Sequence, residues 1–415
     1  MKRLALAWLC ATLMGAPVPL LAQEVPTPKD LPSTEQAVDW IDKDPSVVEA
    51  RSALAAAGHA GNALAAGPHE WTAKAATQRR SYRDGGNSQE WSTQLERAIR
   101  IGGKAELDRQ LGDAGLEIAQ ARVDEARHEA ARMLADLWLA WLAAGRAQEL
   151  FKQQLSFAEA NLRAVESRKR AGDASALDVS IAQTDLADVQ RQASLAASNV
   201  VKARAKLRVR FPEAPLDAKP LADPVDPAQT ESQWRERIVA EADPLKIAEG
   251  QLRKAELTAS RANADRIPDP TVGVYMASEA FRNERVVGVS ISIPLSGTYR
   301  EERMRQSLRE VEVARAALDR ERRVIDSQVA ETYADAVGST ERWRLAENGA
   351  AAAGDSARLM QRAYTLGEAD LQALLLARRQ SLEASRAALE ARADALRSNY
   401  RLLIDAHLIW DLALD

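Results

Sequence analysis

The chain has 415 residues, of which 46% are hydrophobic and 28% charged, with a formal net charge of −4 and a single cysteine. This balance argues against nucleic acid as a partner, and one thiol cannot build a disulfide framework. Beyond the first 22 residues no apolar run approaches the ~18 residues of a membrane-crossing helix, so entry into a membrane would require a closed β-barrel.

The N-terminus reads as an address. Lys2 and Arg3 precede the apolar stretch 4–14, and small residues follow up to Leu20-Leu21-Ala22-Gln23. That order predicts a secretory signal peptide over 1–22, cut after Ala22. Cys10 follows Leu9, where a lipid-attachment site needs a small residue. Cys10 is therefore expected to leave with the signal, and no lipid anchor is expected.

A first structural repeat is predicted over 23–210. A helix opens at Ser33, with Gln36 three residues on as a capping box. Gly67-Pro68 breaks it. A β-hairpin follows over about 69–101: Trp71, Ala73, Ala75 and Thr77 alternate with polar residues, 84–87 (Asp-Gly-Gly-Asn) turn, and Glu90 to Ile101 returns. A long helix over 104–170 contains no proline and would reach roughly 100 Å. Gly172 ends it, and a return helix runs over 175–210. Val179, Ala182, Leu186, Val189, Ala193, Ala196, Val200, Ala203 and Leu207 step by three and four along it, a heptad seam.

Pro212, Pro215, Pro220, Pro224 and Pro227 mark a linker over 211–228. A second repeat, 229–415, then restates the plan: a helix, a hairpin over about 271–295, a long helix over 299–365 and a return helix over 370–412. Asp44-Pro45, Gly67-Pro68, the 101–104 segment and Gly172 each find a counterpart about 200 residues on, at Asp243-Pro244, Ile267-Pro268, 295–298 and Gly367. The last strand shows strict alternation. Val287, Val289, Ile291, Ile293 and Leu295 share one face, and Gly288, Ser290, Ser292 and Pro294 the other.

Catalytic signatures do not emerge. His59, His69, His128 and His407 stand in no metal-ligand spacing, and no nucleotide-binding or nucleophile motif occurs. The reading is of a non-enzyme with no cofactor and no metal site.

The signal peptide, the duplicated helix–hairpin–long helix–return helix plan, the strand ending I-P-L-S-G, and the tip motifs R-A-G-D-A-S-A-L-D-V and T-L-G-E-A-D-L-Q-A-L together resemble the TolC family of outer-membrane efflux channels. The tip pattern, a glycine followed four or five residues later by leucine, falls on Gly172 with Leu177 and on Gly367 with Leu371. The run G-G-K at 102–104 is similar to the CzcC-like heavy-metal efflux branch, although the arginine that usually follows at once is displaced here by A-E-L-D.

The resemblance implies a mainly α homotrimer with a small β part. Its long antiparallel coiled-coil hairpins would form a periplasmic α-barrel. Four strands per protomer would share a 12-stranded barrel in outer-membrane lipid. It implies a passive, gated conduit that meets a periplasmic adaptor and an inner-membrane RND pump, with cobalt, zinc or cadmium as the exported class and drugs or other organic compounds as the alternative. On this reading Val287, Val289, Ile291 and Ile293 face lipid, Ser290 and Ser292 face the lumen, and Trp71, Trp91 and Tyr275 are candidate interfacial aromatics. A periplasmic adaptor is the competing reading. It would show one helical hairpin among many strands rather than two hairpins each preceded by a short β region.

At the helix reversals stand Asp173, Asp178, Glu368 and Asp370. Repeated threefold, they would ring the pore mouth and favour cations. Alternatively they stabilise the helix starts on which they sit. Arg170 and Arg168 could pair with acids of the neighbouring hairpin and hold the channel shut. Gly172, Leu177, Gly367 and Leu371 would form the turns that meet the adaptor.

Overall fold

The computed structural model describes residues 27–215 and 219–410. The expected signal peptide, 1–22, lies outside the described residues. Eight helices and one four-stranded sheet make up the described chain.

Helix α1 (Thr34–Asp42) opens on Ser33 through the capping box with Gln36. The helix expected before the first hairpin is in fact two. Asp44 accepts from the Ser46 amide and caps a second helix, α2 (Pro45–Ala66), with Pro45 in its first turn. A proline there has no amide to offer the preceding helix, so α1 must stop before it. The same division recurs in the second repeat, as α5 (Glu231–Glu241) and α6 (Asp243–Ala264) with Pro244 near the new start.

Strands β1 (Thr72–Ser81) and β2 (Asn87–Ala98) form the first hairpin, and β3 (Thr271–Glu279) and β4 (Glu284–Ser292) the second. They join as one antiparallel meander, β1-β2-β3-β4, so both repeats contribute to a single sheet. The second hairpin turns at 280–283, two residues before the polar run 282–284 (Arg-Asn-Glu) that the sequence offers as its turn. Ala280, Phe281 and Arg282 all adopt positive φ and end β3 at Glu279. At its other end β4 stops at Ser292, two residues before Pro294, which has no amide to extend a ladder. Ile293 therefore follows the strand rather than belonging to it.

The long helices are α3 (Lys104–Ala171) and α7 (Thr298–Leu366), with return helices α4 (Ala176–Arg210) and α8 (Leu371–Asp405). Helix α8 ends seven residues before the expected 412. The Ala406 and His407 amides return to the Leu402 and Ile404 carbonyls, and positive φ at His407 and Trp410 turns the chain back. That turn lets Trp410 Nε1 donate to the Pro32 carbonyl at 3.2 Å and bury its ring.

The largest core lies midway along α3. Leu134, Trp138, Leu139 and Leu142 meet Trp40 and Ile41 of α1, Phe211 and Leu221 of the linker, and Tyr400 and Ile404 of α8. Trp138 Nε1 donates to the Asp30 carbonyl at 2.7 Å, and Tyr400 donates to the Asp30 carboxylate at 2.6 Å. The N-terminal segment and the linker are thus strapped across both helical hairpins.

Candidate functional sites at the sheet and the helix tips

The sheet is apolar on its accessible face. Cross-strand partners share a face, and the register gives the rows Ala73–Leu95–Val274–Val289 and Ala75–Thr93–Met276–Val287, with Arg97–Val272–Ile291 beside them. Val287, Val289 and Ile291 are 75%, 73% and 66% exposed, and Leu95, Val274 and Met276 are exposed with them. The other face carries Lys74–Gln94–Tyr275–Gly288 and Thr72–Glu96–Gly273–Ser290, and from β2 to β4 these residues are the less accessible ones. A sheet on an aqueous core has the opposite polarity.

Two of the three expected interfacial aromatics lie at the ends of this apolar band. Trp71 sits under the Arg97 guanidinium, 5.8 Å from ring centre to carbon, and Trp91 pairs with Thr77 and Ser278 towards the turns. Both rings are exposed. From residue 91 to 97 the strand rises roughly 20 Å along its own axis, about 15 Å of height at the ~35–45° tilt of outer-membrane barrels, whose apolar band is ~25 Å tall. Tyr275 is the exception. It lies on the polar face over Gly288, so it is no part of a girdle.

An ionic cluster fixes the sheet to the helices. Lys104, fully buried, donates to the Ile267 carbonyl and to Asp269 Oδ1, both at 2.7 Å. His69 Nε2 and the Ile101 amide reach the two oxygens of Asp269. These contacts hold the Asp269 carboxyl below its ordinary range although burial opposes them. Arg100 donates to the Leu64 and Ala65 carbonyls at the end of α2 and to Asp108, whose other oxygen receives Arg261 of α6 at 2.6 Å. Sequence reasoning placed Lys104 in the G-G-K run but missed this role, because its partners lie more than 160 residues away.

At the far ends of the long helices, Gly172 and Gly367 take φ of +90° and +79° and close α3 and α7 with left-handed caps. Asp178 accepts from the Ser175 amide at 2.8 Å, and that bond holds its carboxyl below the usual range. Asp370 accepts from the Ala373 amide at 2.7 Å. Two of the four tip acids therefore serve helix starts, Asp370 as the N-cap of α8 and Asp178 as the capping-box partner of Ser175. Asp173 and Glu368 are exposed, and their carboxylates have no hydrogen bond or ion pair among the described residues.

The remaining tip residues divide as well. Arg168 lies over the Tyr364 ring, 5.1 Å from its centre, while Arg170 is exposed in the last turn of α3. Leu371 is buried with Val165, Val179, Ala182 and Leu375, where the two hairpins touch, whereas Leu177 is exposed.

The fold recurs in solved structures. A membrane protein from Pseudomonas aeruginosa superposes with a TM-score of 0.74 at 17% identity, over 90% of this chain and 93% of the other. The CmeC outer membrane channel of Campylobacter jejuni superposes with a TM-score of 0.75 at 12% identity, over 92% and 87%. The chain has the outer-membrane channel fold. The outer membrane protein VceC of Vibrio cholerae shares it too, with a TM-score of 0.70 at 18% identity, over 90% and 95%. Residues 43–209 match the family model described as outer membrane efflux protein. No curated protein matches the chain in sequence.

Proposed function

We propose that the protein is a passive outer-membrane efflux channel working as a homotrimer. The observation that carries this reading is the reversed polarity of the sheet, with Leu95, Val274, Val287, Val289 and Ile291 on the accessible face. Lipid is the solvent that such a face suits. The sheet also has two unpaired edges, β1 and β4. Unpaired backbone groups are costly in hydrocarbon, and four strands are too few to close. Three copies pairing β4 of one with β1 of the next give 12 strands and no edge.

In that assembly the polar face, with Glu90, Glu96 and Ser290, lines the lumen. The helical hairpins extend into the periplasm, and their tips receive substrate from an inner-membrane RND pump through a periplasmic adaptor. The channel supplies a path and a gate, and the pump supplies the energy. Divalent heavy-metal cations are the proposed cargo, supported by the resemblance of the G-G-K run to the CzcC-like branch. Lys104 of that run is buried in the ionic cluster, so its bearing on cargo is a mark of lineage rather than a contact with the exported ion.

The test has two parts. Detergent extraction of outer-membrane fractions should yield a trimer that forms conducting pores in planar bilayers, and a water-soluble monomer would reject the channel. A deletion strain should gain sensitivity to zinc, cobalt or cadmium. Gain of sensitivity to organic drugs alone would keep the channel and replace the cargo.

A further inference from the structure

The histidine spacing suggests no metal site, but the fold brings together residues that the sequence separates. His128 lies on α3, Asp243 opens α6, and His407 follows the end of α8. One ligand atom from each falls within 4.8 Å of the others. The two imidazole rings are 5.0 Å apart, tilted by 58°. Positive φ at His407, where α8 ends, forms the turn that brings its ring there.

The partners of these side chains leave three lone pairs unused. His128 Nε2 is 3.3 Å from Asp405 Oδ1, which Arg132 Nε also reaches at 2.7 Å. In the neutral tautomer that donates from Nε2 to Asp405, His128 keeps the lone pair of Nδ1. Asp243 gives Oδ1 to Lys246 Nζ at 3.2 Å, while its Oδ2 is buried with no partner. His407 Nε2 is likewise buried with no partner. Leaving such atoms unmatched costs about 1–3 kcal/mol each.

Neutral imidazole is the form that metals bind.

We propose that His128, Asp243 and His407 bind one divalent transition-metal ion of the zinc class per protomer, with Asp405 orienting His128 from behind. Two imidazoles and a carboxylate suit such an ion, whereas magnesium and calcium favour all-oxygen shells. The carboxylate–histidine pair is the usual second layer of a zinc site. Bonds of about 2.0–2.1 Å in a tetrahedron place ligands roughly 3.4 Å apart, which the three side chains reach by closing about an ångström. A cavity of about 230 Å³ lined by His128, Asp243, Asp405 and Glu125, though not by His407, adjoins two of the three ligands and is large enough for a water. The ion joins the first repeat, through α3, to both the start of α6 and the end of α8 in the second. It is a clasp between repeats, separate from the export path and independent of the cargo.

The experiment uses the full trimer in detergent, stripped of metal and titrated with Zn²⁺, with bound zinc measured by elemental analysis and unfolding followed by temperature. One zinc per protomer and a rise in Tm of a few degrees are expected, with no rise from Mg²⁺. His407→Ala should weaken zinc binding at least about ten-fold and abolish the zinc-dependent rise in Tm, and Asp405→Asn should weaken binding by about ten-fold as a positioning change. Absence of saturable zinc near one per protomer, or wild-type affinity in His407→Ala and Asp243→Asn, would overturn the site. Should either variant fail to fold, Co²⁺ added to the wild-type protein decides. An intense tetrahedral d–d spectrum displaced by one equivalent of Zn²⁺ supports the site, and a weak octahedral spectrum refutes it.

Discussion

Tyr275 covers Gly288 across the β3–β4 pair, and a Cβ at position 288 would stand 2.5 Å from its phenol ring. A glycine that would weaken an isolated strand is here the floor on which an aromatic ring rests. The pair lies on the polar face, the one the proposed barrel turns to its lumen.

Gly288→Val should therefore lower assembly although valine is the better strand former. The overpacking penalty is about 1–3 kcal/mol. The level of trimer in outer-membrane fractions should fall, and Tyr275→Ala in the same chain should restore it. Equal trimer levels in wild type and Gly288→Val would show that the ring has room to leave.

The ionic cluster under the sheet makes a second prediction. Lys104 is buried between Asp269 and the Ile267 carbonyl. Lys104→Met leaves the half-buried Asp269 without its cation, a change worth about 2–3 kcal/mol of destabilisation, below the range for a fully buried pair. Thermal unfolding of the purified protein measures it. Replacing Lys104 and Asp269 together by Met and Asn should recover much of the loss. An unaltered Tm in Lys104→Met would mean that the pair adds nothing.

The tip acids should separate by role. Asp178→Ala and Asp370→Ala remove helix caps and should destabilise the starts of α4 and α8 by about 0.5–2 kcal/mol, seen as faster amide exchange over the first turn of each. Asp173→Ala with Glu368→Ala should leave exchange unchanged and lower cation selectivity in single-channel recordings. Unchanged selectivity in that double variant would remove the tip acids from the permeation path.

A pH dependence follows from Glu125 on α3. Burial pushes it up to about 7 from 4.5, with Arg132 opposing and Glu129, Asp243 and Asp405 adding to the rise. Folded protein thus keeps a proton that the unfolded chain has released between those two values. Stability falls as pH rises through that window and levels off above it. Glu125→Gln removes the effect. In metal-stripped protein at pH 8 it should be more stable than wild type by about 2 kcal/mol, once solvent screening of this partly exposed group is allowed for, and the difference should vanish near pH 4. An equal difference at both pH values would contradict the assignment.

Much of this architecture was legible locally. The capping box at Ser33, the glycine stops at 172 and 367, and the alternation through 287–291 are short-range signals, and the structure places each where its chemistry requires. The breaks at Pro45 and Pro244 carried equally local signals, but the repeat comparison read them as landmarks rather than as helix starts. The early turn at 280–282 was not legible, because Ala, Phe and Arg are not residues that advertise positive φ. Phe281 is held there by stacking on Tyr82, 5.3 Å away in the other hairpin. The Lys104–Asp269 and His128–Asp243–His407 groupings were out of reach for a similar reason. Each joins residues more than 100 positions apart, and spacing rules see only neighbours.

The central claim is that the odd-numbered residues of β4 face lipid and the even-numbered ones face water in a trimeric barrel. The most direct test is nitroxide labelling of cysteine at positions 289 and 290, one at a time, in trimers reconstituted into lipid vesicles. Cys10, the sole native cysteine, lies within the expected signal peptide, so the introduced thiol should be the single label site. The label at 289 should be relaxed by dissolved oxygen and shielded from a water-soluble nickel complex, and the label at 290 should show the reverse. Equal exposure of both positions to the nickel complex would contradict the account.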